Sequence, residues 1–208
     1  MKQKKINIVI ADDNRFFCEA LKDSLNNNLN FNVLETFTEL SELIKYNQSF
    51  SYDVLILDIN FNGISSLESI NDLKSYNKTL KTLALTTLNN DFIREKAYKN
   101  GVDVFIGKDE DFSSFNNKVL ECFNNHGKND WVKSSKFFID DKIITKHKLN
   151  ILQAMYSNSD KNEKELAKIL SISVSSLKTH KRELFEITNT KSTPELLKYG
   201  IQKGLIIA

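Results

Sequence analysis

The feature that most constrains this chain is an alternation that fills its first 125 residues. Short apolar, β-rich runs recur five times, each followed by an amphipathic stretch. Ile6-Asn-Ile-Val-Ile-Ala11 and Val54-Leu-Ile-Leu57 are uninterrupted enough to be strands buried on both faces. Phe31 to Thr36, Thr82 to Thr86 and Val104-Phe-Ile106 supply three more strands. Between them, helical spacing groups Phe16, Phe17, Ala20, Leu21 and Leu25, then Leu40, Leu43 and Ile44, then Leu67, Ile70 and Leu73. Residues 91–100 form a fourth helix that Gly101 terminates, and Phe115, Val119, Leu120 and Phe123 line a fifth. Five βα units predict a doubly wound parallel sheet with right-handed crossovers. Ligands of such sheets lie beyond the carboxyl ends of the strands, so chemistry is sought there.

Composition excludes several classes. Hydrophobic residues make up 40% of the chain and charged residues 27%, which supports a packed core rather than disorder. Two cysteines, Cys18 and Cys122, cannot make a disulfide framework, and three histidines leave little for a histidine metal site. The apolar run from Ile6 stops at Asp12, too short for a signal-peptide core or a membrane span. A cytoplasmic protein with reduced thiols and no membrane partner is therefore expected.

The predicted strand ends carry one constellation. Asp12 and Asp13 follow the first strand, Asp58 ends the third, Thr86 and Thr87 end the fourth, and Lys108 follows the fifth. Clustered carboxylates repel and call for a hard cation such as Mg²⁺. A carboxylate can also attack phosphorus, and the charge developing on phosphoryl oxygens calls for a cation, an ammonium and a hydroxyl donor.

Through Val9-Ile-Ala-Asp-Asp13, Leu55-Ile-Leu-Asp58, Leu83-Ala-Leu-Thr86 and Phe105-Ile-Gly-Lys108, residues 5–124 resemble the receiver domain of bacterial two-component response regulators. The resemblance implies a flavodoxin-like fold with strand order 2-1-3-4-5 and Asp58 as phosphoacceptor. It implies that Asp12, Asp13, Asp58 and the backbone carbonyl of Asn60 hold Mg²⁺. Thr86 and Lys108 would bond phosphoryl oxygens, and Phe105 stands at the switch-aromatic position. Departures exist: Asn62 replaces the family's usual proline before Gly63, Thr87 replaces a common alanine, and Asp109 replaces the proline after the lysine. Thr87 borders the phosphoryl approach, so an effect on phospho-Asp58 lifetime is expected.

The remaining residues read differently. Residues 125–143 lack a long period and predict a linker, with Trp131 and Phe137-Phe-Ile139 as a short docking element. From 144 to 208 the pattern predicts four helices, three capped by Thr145, Asn162 and Ser173 and a fourth that starts at Thr193-Pro-Glu. Leu152, Met155, Leu166, Ala167, Ile169, Leu177, Leu184, Leu196 and Ile201 are expected inward. Leu170-Ser-Ile-Ser173 makes a turn of helix-turn-helix length. The outer face of the third helix then presents Ser175, Lys178, Thr179 and Arg182, donors suited to base edges and phosphates.

Glu165-Leu-Ala-Lys-Ile-Leu170, Ile172-Ser173, Ser176-Leu-Lys-Thr-His180 and Gly204-Leu-Ile206 resemble the LuxR-type DNA-binding domain of NarL/FixJ-type response regulators. The resemblance implies Lys178, Thr179 and Arg182 near bases, with Lys181, Ser175 and Ser176 nearer phosphates. Lys148, Asn158 and Lys191 depart from the family's residues, which bears on promoter and RNA polymerase contacts. His180 matches a family position and equally suits a half-buried helix histidine.

The implied function is a transcription regulator, not an enzyme with external turnover. A sensor histidine kinase or small phosphodonor would phosphorylate it, and a homodimer would bind double-stranded DNA. An Asp-nucleophile phosphatase is disfavoured because Asn60 stands where its second acid would be. A phosphorylation-independent DNA-binding or partner-binding regulator with a vestigial receiver is the other reading, motivated by Asn62 and Thr87. Charge divides accordingly. Residues 1–125 hold 14 basic and 18 acidic residues (−4), and residues 126–208 hold 15 and 9 (+6), which gives the total of +2. The basic half predicts salt-sensitive DNA binding.

Overall fold

The structure, a computed structural model, describes residues 5–124, 136–139 and 142–206. The chain forms two compact units. No helix among the described residues is long and apolar enough to cross a membrane.

The first unit runs β1 (Ile6–Ala11), α1 (Arg15–Asn26), β2 (Phe31–Phe37), α2 (Leu40–Ser49), β3 (Val54–Leu57), β4 (Asn60–Phe61), β5 (Ile64–Ser65) and α3 (Ser69–Tyr76). It continues with β6 (Lys81–Thr86), α4 (Asp91–Lys99), β7 (Val104–Gly107) and α5 (Phe115–Phe123). The parallel sheet is ordered β2-β1-β3-β6-β7, which is the expected 2-1-3-4-5 once the small β4–β5 hairpin is set aside. Register aligns Ile8 with Val54 and Leu55 with Thr82, so β1 and β3 end side by side. Ile8, Val9, Ile10 and Ala11 are wholly buried, as are Val54, Leu55 and Leu57. Both faces of these strands are therefore covered, and each such aliphatic side chain contributes about 1.5–3 kcal/mol by leaving water.

The phase of α1 differs from the expected one. Asn14 caps the helix, its side chain accepting from Phe17 N. That start turns Cys18, Leu21 and Leu25 inward with Phe17 beside them. Phe16 is 90% exposed and Ala20 is also on the outer face. The apolar spacing contained two overlapping stripes, and the capping residue decides between them. Phe123 at the end of α5 is likewise exposed rather than inward.

The second unit contains β8 (Lys136–Ile139), β9 (Lys142–Thr145), α6 (Lys146–Ser157), α7 (Glu163–Ile169), α8 (Val174–Thr188) and α9 (Thr193–Gln202). The antiparallel β8–β9 hairpin occupies part of the stretch read as linker. It alternates, with Phe137 and Ile139 buried and Phe138 exposed. Residues 125–135, Trp131 among them, and 140–141 lie outside the described residues.

Helix starts fall at the expected caps. Thr145 accepts from Lys148 N, and Ser173 accepts from Ser176 N. Asn162 and Glu165 form a reciprocal capping box. The fourth helix starts at Thr193 as expected, with proline in its first turn, and Ser192 caps it. Leu152, Leu177, Leu184 and Leu196 form the buried face. Ile169 is 51% exposed and Ile201 40%, so neither belongs to it.

Candidate functional site

β1 ends in Asp12-Asp13, and β3, its neighbour, ends in Asp58. One carboxylate oxygen from each lies within 4.8 Å of the other two. Asp12 and Asp58 are buried, while Asp13 is half-buried. From the end of β7, Lys108 reaches across this cluster. Its Nζ lies 2.5 Å from Asp12 Oδ2 and 2.7 Å from Asp58 Oδ2, and its side chain is 14% exposed.

An ammonium bridging two buried carboxylates shows what the pocket selects: positive charge and hydrogen-bond donors. Burial pushes the Asp58 carboxyl above the usual range, against the pull of Lys108 and of the Asn60 amide. Burial works the other way on Lys108, yet bonds to Asp12 and Asp58 carry its ammonium above the ordinary lysine value. Lys108 is thus the donor shared by Asp12 and Asp58.

Each acid is also oriented locally. Asp12 Oδ1 accepts from Asn14 N at 3.0 Å, which couples the acid to the cap of α1. Asp58 Oδ1 accepts from Asn60 N at 3.1 Å. Ser66, wholly buried, donates its hydroxyl to Asp58 O at 2.6 Å and its amide to Ile59 O at 2.8 Å, closing the segment after β3 onto itself. Within that segment, Asn60 pairs with Ser65 and Phe61 with Ile64. Asn60 is one step back from the turn, a position whose N–H and C=O point out of the hairpin. Its carbonyl is therefore available to a cation beside Asp58.

Thr86 is fully buried at the end of β6. Its Oγ1 accepts from Leu88 N at 3.1 Å, so its proton remains for another acceptor. Thr87, by contrast, is exposed. Phe105 stands inward, 6% exposed, with the Arg94 guanidinium 5.1 Å over its ring. Gly107 immediately precedes Lys108, and a Cβ there would collide with the Asn89–Asp109 side-chain pair. Glycine leaves room for that pair, and a larger residue would make the two side chains shift. The ammonium also sits 4.7 Å from the Phe17 ring centroid, an aromatic wall on the pocket.

In the second unit, α7 and α8 meet at Leu170–Ser173. Ser171 adopts a left-handed φ of 54°, and Ile172 N returns to Ala167 O at 3.0 Å. On α8, Ser175, Lys178, Thr179 and Arg182 are exposed together on one face, as their spacing required. Ser176 and Lys181 are half-buried at its margin. Lys181 Nζ bonds Glu163 Oε1 at 2.9 Å, and Lys178 Nζ lies 3.8 Å from Glu163 Oε2. The bond from Lys181 holds the Glu163 carboxyl below its ordinary value. His180 packs edge-on against His147 at 4.8 Å and bonds Glu183 at 3.2 Å. It is a half-buried helix histidine away from the outer face.

Residues 8–120 match the family description "Response regulator receiver domain". The chain belongs to the response regulator receiver family, in its NarL/FixJ type. The oxygen regulatory protein NreC of Staphylococcus carnosus is 27% identical over 97% of this chain and 99% of its own length. The fimbriae Z protein of Salmonella typhimurium is 22% identical over 98% and 100%. Among solved structures, RcsB from Salmonella enterica serovar Typhimurium, bound to promoter rprA in the presence of phosphomimetic BeF3⁻, has a TM-score of 0.56. It is 18% identical and covers 94% of this chain and 98% of its own. The receiver domain of NarL from Mycobacterium tuberculosis has a TM-score of 0.54 and 21% identity, covering 58% of this chain and 98% of its own.

In this response regulator, then, the structure brings together the predicted Asp12, Asp13, Asp58 and Lys108. Thr86 stands at the end of β6, and Phe105 lies within β7. Sequence reasoning did not single out Asn14, Ser66 or Glu163, and read Phe17 only as part of an apolar helix stripe. The β4–β5 hairpin did leave a signal. Asn62-Gly63 is the dipeptide a two-residue hairpin turn favours, here with φ of 49° and 83°.

Proposed function

We propose that this response regulator controls transcription by binding double-stranded DNA, and that Mg²⁺-dependent phosphorylation of Asp58 switches it. The observation that carries the proposal is the Asp12–Lys108–Asp58 bridge beside Asp13, a cluster of carboxylate oxygens with an ammonium already paired to two of them. That donor set fits Mg²⁺, which takes oxygen ligands and keeps waters. Asp12, Asp13, Asp58 and the Asn60 carbonyl would hold it. Bound there, Mg²⁺ supplies positive charge to the carboxylates and the transferring phosphoryl group.

The chain's own groups then have defined tasks. A carboxylate oxygen of Asp58 attacks phosphorus, and the bond from phosphorus to the donor's leaving group breaks. Lys108 donates to a phosphoryl oxygen, exchanging one anionic partner for another. The Thr86 hydroxyl, whose proton is uncommitted, donates to a second oxygen. Movement of Thr86 would change the packing around Phe105, which already stands inward beneath Arg94. Phosphorylation thereby shifts a population between two arrangements rather than building a new fold.

In the second unit, α8 would enter the major groove with Ser175, Lys178, Thr179 and Arg182 toward base edges, and Ser176 and Lys181 toward phosphates. The +6 charge of residues 126–208 supports this reading but is modest for one copy. Two copies on paired half-sites fit it better, so a homodimer is the active form. RcsB, a chain of this fold, is bound to a promoter in its solved structure, which supports DNA as the partner. A sensor histidine kinase or a small phosphodonor supplies the phosphoryl group in the cytoplasm, RNA polymerase is a further partner, and no external substrate is turned over. The domains that go with this reading are 1–124 and a second that extends from the expected 144–208 back to the β8–β9 hairpin at Lys136, which shortens the 125–143 linker.

The test is direct phosphorylation. The full chain is incubated with a small acyl phosphate, with and without Mg²⁺, and assayed for a hydroxylamine-labile phosphoryl group. Label that needs Mg²⁺ and is lost in Asp58→Ala is expected. Label that persists in Asp58→Ala overturns Asp58 as the phosphoacceptor, and an unlabelled wild type overturns the proposal in favour of the vestigial-receiver reading.

A further inference from the structure

The hairpin after Asp58 has a chemical role beyond turning the chain. Its loop residues Asn62 and Gly63 are both left-handed, at φ 49° and 83°. In that turn the Asn62 backbone N–H points back to the end of β1 and donates to Asp13 Oδ2 at 2.7 Å. The bond joins positions 49 residues apart, and Asn62 itself is exposed. It therefore ties the β4–β5 hairpin to the strand end that carries two of the three acids.

The division of labour inside the pocket makes this bond consequential. Lys108 pairs with Asp12 and with Asp58. Asp13 is held instead by the Asn62 amide. One carboxylate oxygen is fixed in this way, and the other keeps its lone pairs for a cation or a cation-bound water. The same hairpin is anchored to Asp58 through Ser66 Oγ and Asn60 N. It consequently sets the position of Asp13 relative to Asp58, two acids contributed by different strands.

We propose that the backbone amide of Asn62 is a positioning group for the Mg²⁺ site, fixing the Asp13 carboxylate before the cation arrives. The inference rests on the reading of Asp12, Asp13 and Asp58 as that site. The role belongs to the main chain. Any residue but proline supplies the N–H, and proline also cannot adopt a positive φ, so the usual proline at this place cannot make the bond and the tie is a feature of this chain rather than of the family. The asparagine side chain contributes by tolerating the left-handed conformation that aims the amide at Asp13. Glycine at 62 satisfies both needs.

Two measurements on the full-length chain test this. In EDTA, the Asn62 amide proton of ¹⁵N-labelled protein resonates at low field and moves upfield in Asp13→Ala; an unchanged resonance overturns the bond. Isothermal titration with MgCl₂ then compares the wild type with Asn62→Gly, Gly63→Ala and Asn62→Pro. Gly63→Ala strains the turn at φ 83° and keeps the amide, and an added Cβ meets nothing within 4 Å. Asn62→Gly binds as the wild type does, Gly63→Ala keeps most of the affinity, and Asn62→Pro binds about tenfold more weakly, the loss expected for one hydrogen bond to a charged acceptor. Melting in EDTA confirms that all variants are folded. Equal affinity of Asn62→Pro and wild type overturns the positioning role alone. Equal losses in Gly63→Ala and Asn62→Pro also overturn it, by assigning the effect to the turn. A wild type that takes up no Mg²⁺ overturns the metal reading and this role together.

Discussion

Replacing Lys108 by methionine tests the electrostatics of the pocket most severely. The side chain is nearly isosteric with the lysine stem, so packing against Phe17 is largely kept while the charge is lost. Two carboxylates, with side chains 2% and 6% exposed, then lose the ammonium that lies 2.5 and 2.7 Å away. Removing one partner of a buried ion pair costs about 3–5 kcal/mol, because the remaining charge stays buried. With a urea slope of about 2 kcal/mol per molar, the first unit's midpoint should fall by about 2 M at neutral pH.

The deficit must also depend on pH. Burial raises the Asp58 carboxyl, and Lys108 opposes it; without the lysine the carboxyl rises further. A carboxyl raised on folding gives stability that is complete below its unfolded value of about 3.9 and lost as pH climbs through the folded value. The variant should therefore approach wild-type stability on acidification and diverge from it toward neutrality. Added Mg²⁺ should narrow the neutral-pH gap by binding the folded variant. The assay is urea unfolding in EDTA at neutral and acid pH, with hydrogen exchange at β1 and β3 reporting the first unit. A deficit below about 1 kcal/mol at neutral pH, or one independent of pH, would refute the reasoning.

Three further outcomes are expected, all in the second unit. Ser171→Gly relieves a left-handed serine and should raise stability by about 0.5–1 kcal/mol in thermal unfolding; a loss would mean that the serine side chain holds the turn. Glu163→Gln removes the carboxylate that now engages Lys178 and Lys181, so DNA affinity should rise about threefold or more at low salt and converge with wild type as salt increases. Weaker binding in a fluorescence anisotropy titration would show instead that Glu163 orients those lysines. The double variant Lys178→Ala, Arg182→Ala should lose sequence-specific binding while far-UV circular dichroism stays unchanged, and retained specificity would point to another face of the domain.

How much of this was legible in the sequence depends on the kind of signal. Uninterrupted runs such as Val54-Leu-Ile-Leu57 allow little but a buried strand, and the acids at strand ends follow from strand order. Caps were equally readable, because Asn162 with Glu165 and Ser173 satisfy amides within one turn of the chain. Helix phase was not, where two apolar stripes overlap: Phe16 and Phe17 are indistinguishable by composition, and only the Asn14 cap turns one outward. The pocket's supports were the least visible. Ser66 and the Asn62 amide act through backbone geometry between distant segments, and spacing along a chain carries no trace of that. Glu163 was hidden for a related reason, since its partners sit on the next helix.

The central claim is that Asp58 controls DNA binding by the second unit. Genome-wide mapping of binding sites, with wild type and Asp58→Ala produced at equal levels, tests it most directly. The account predicts a defined set of sites containing paired half-sites, occupied by the wild type under phosphorylating conditions and largely vacated by Asp58→Ala. Equal occupancy of the same sites by both proteins would contradict it.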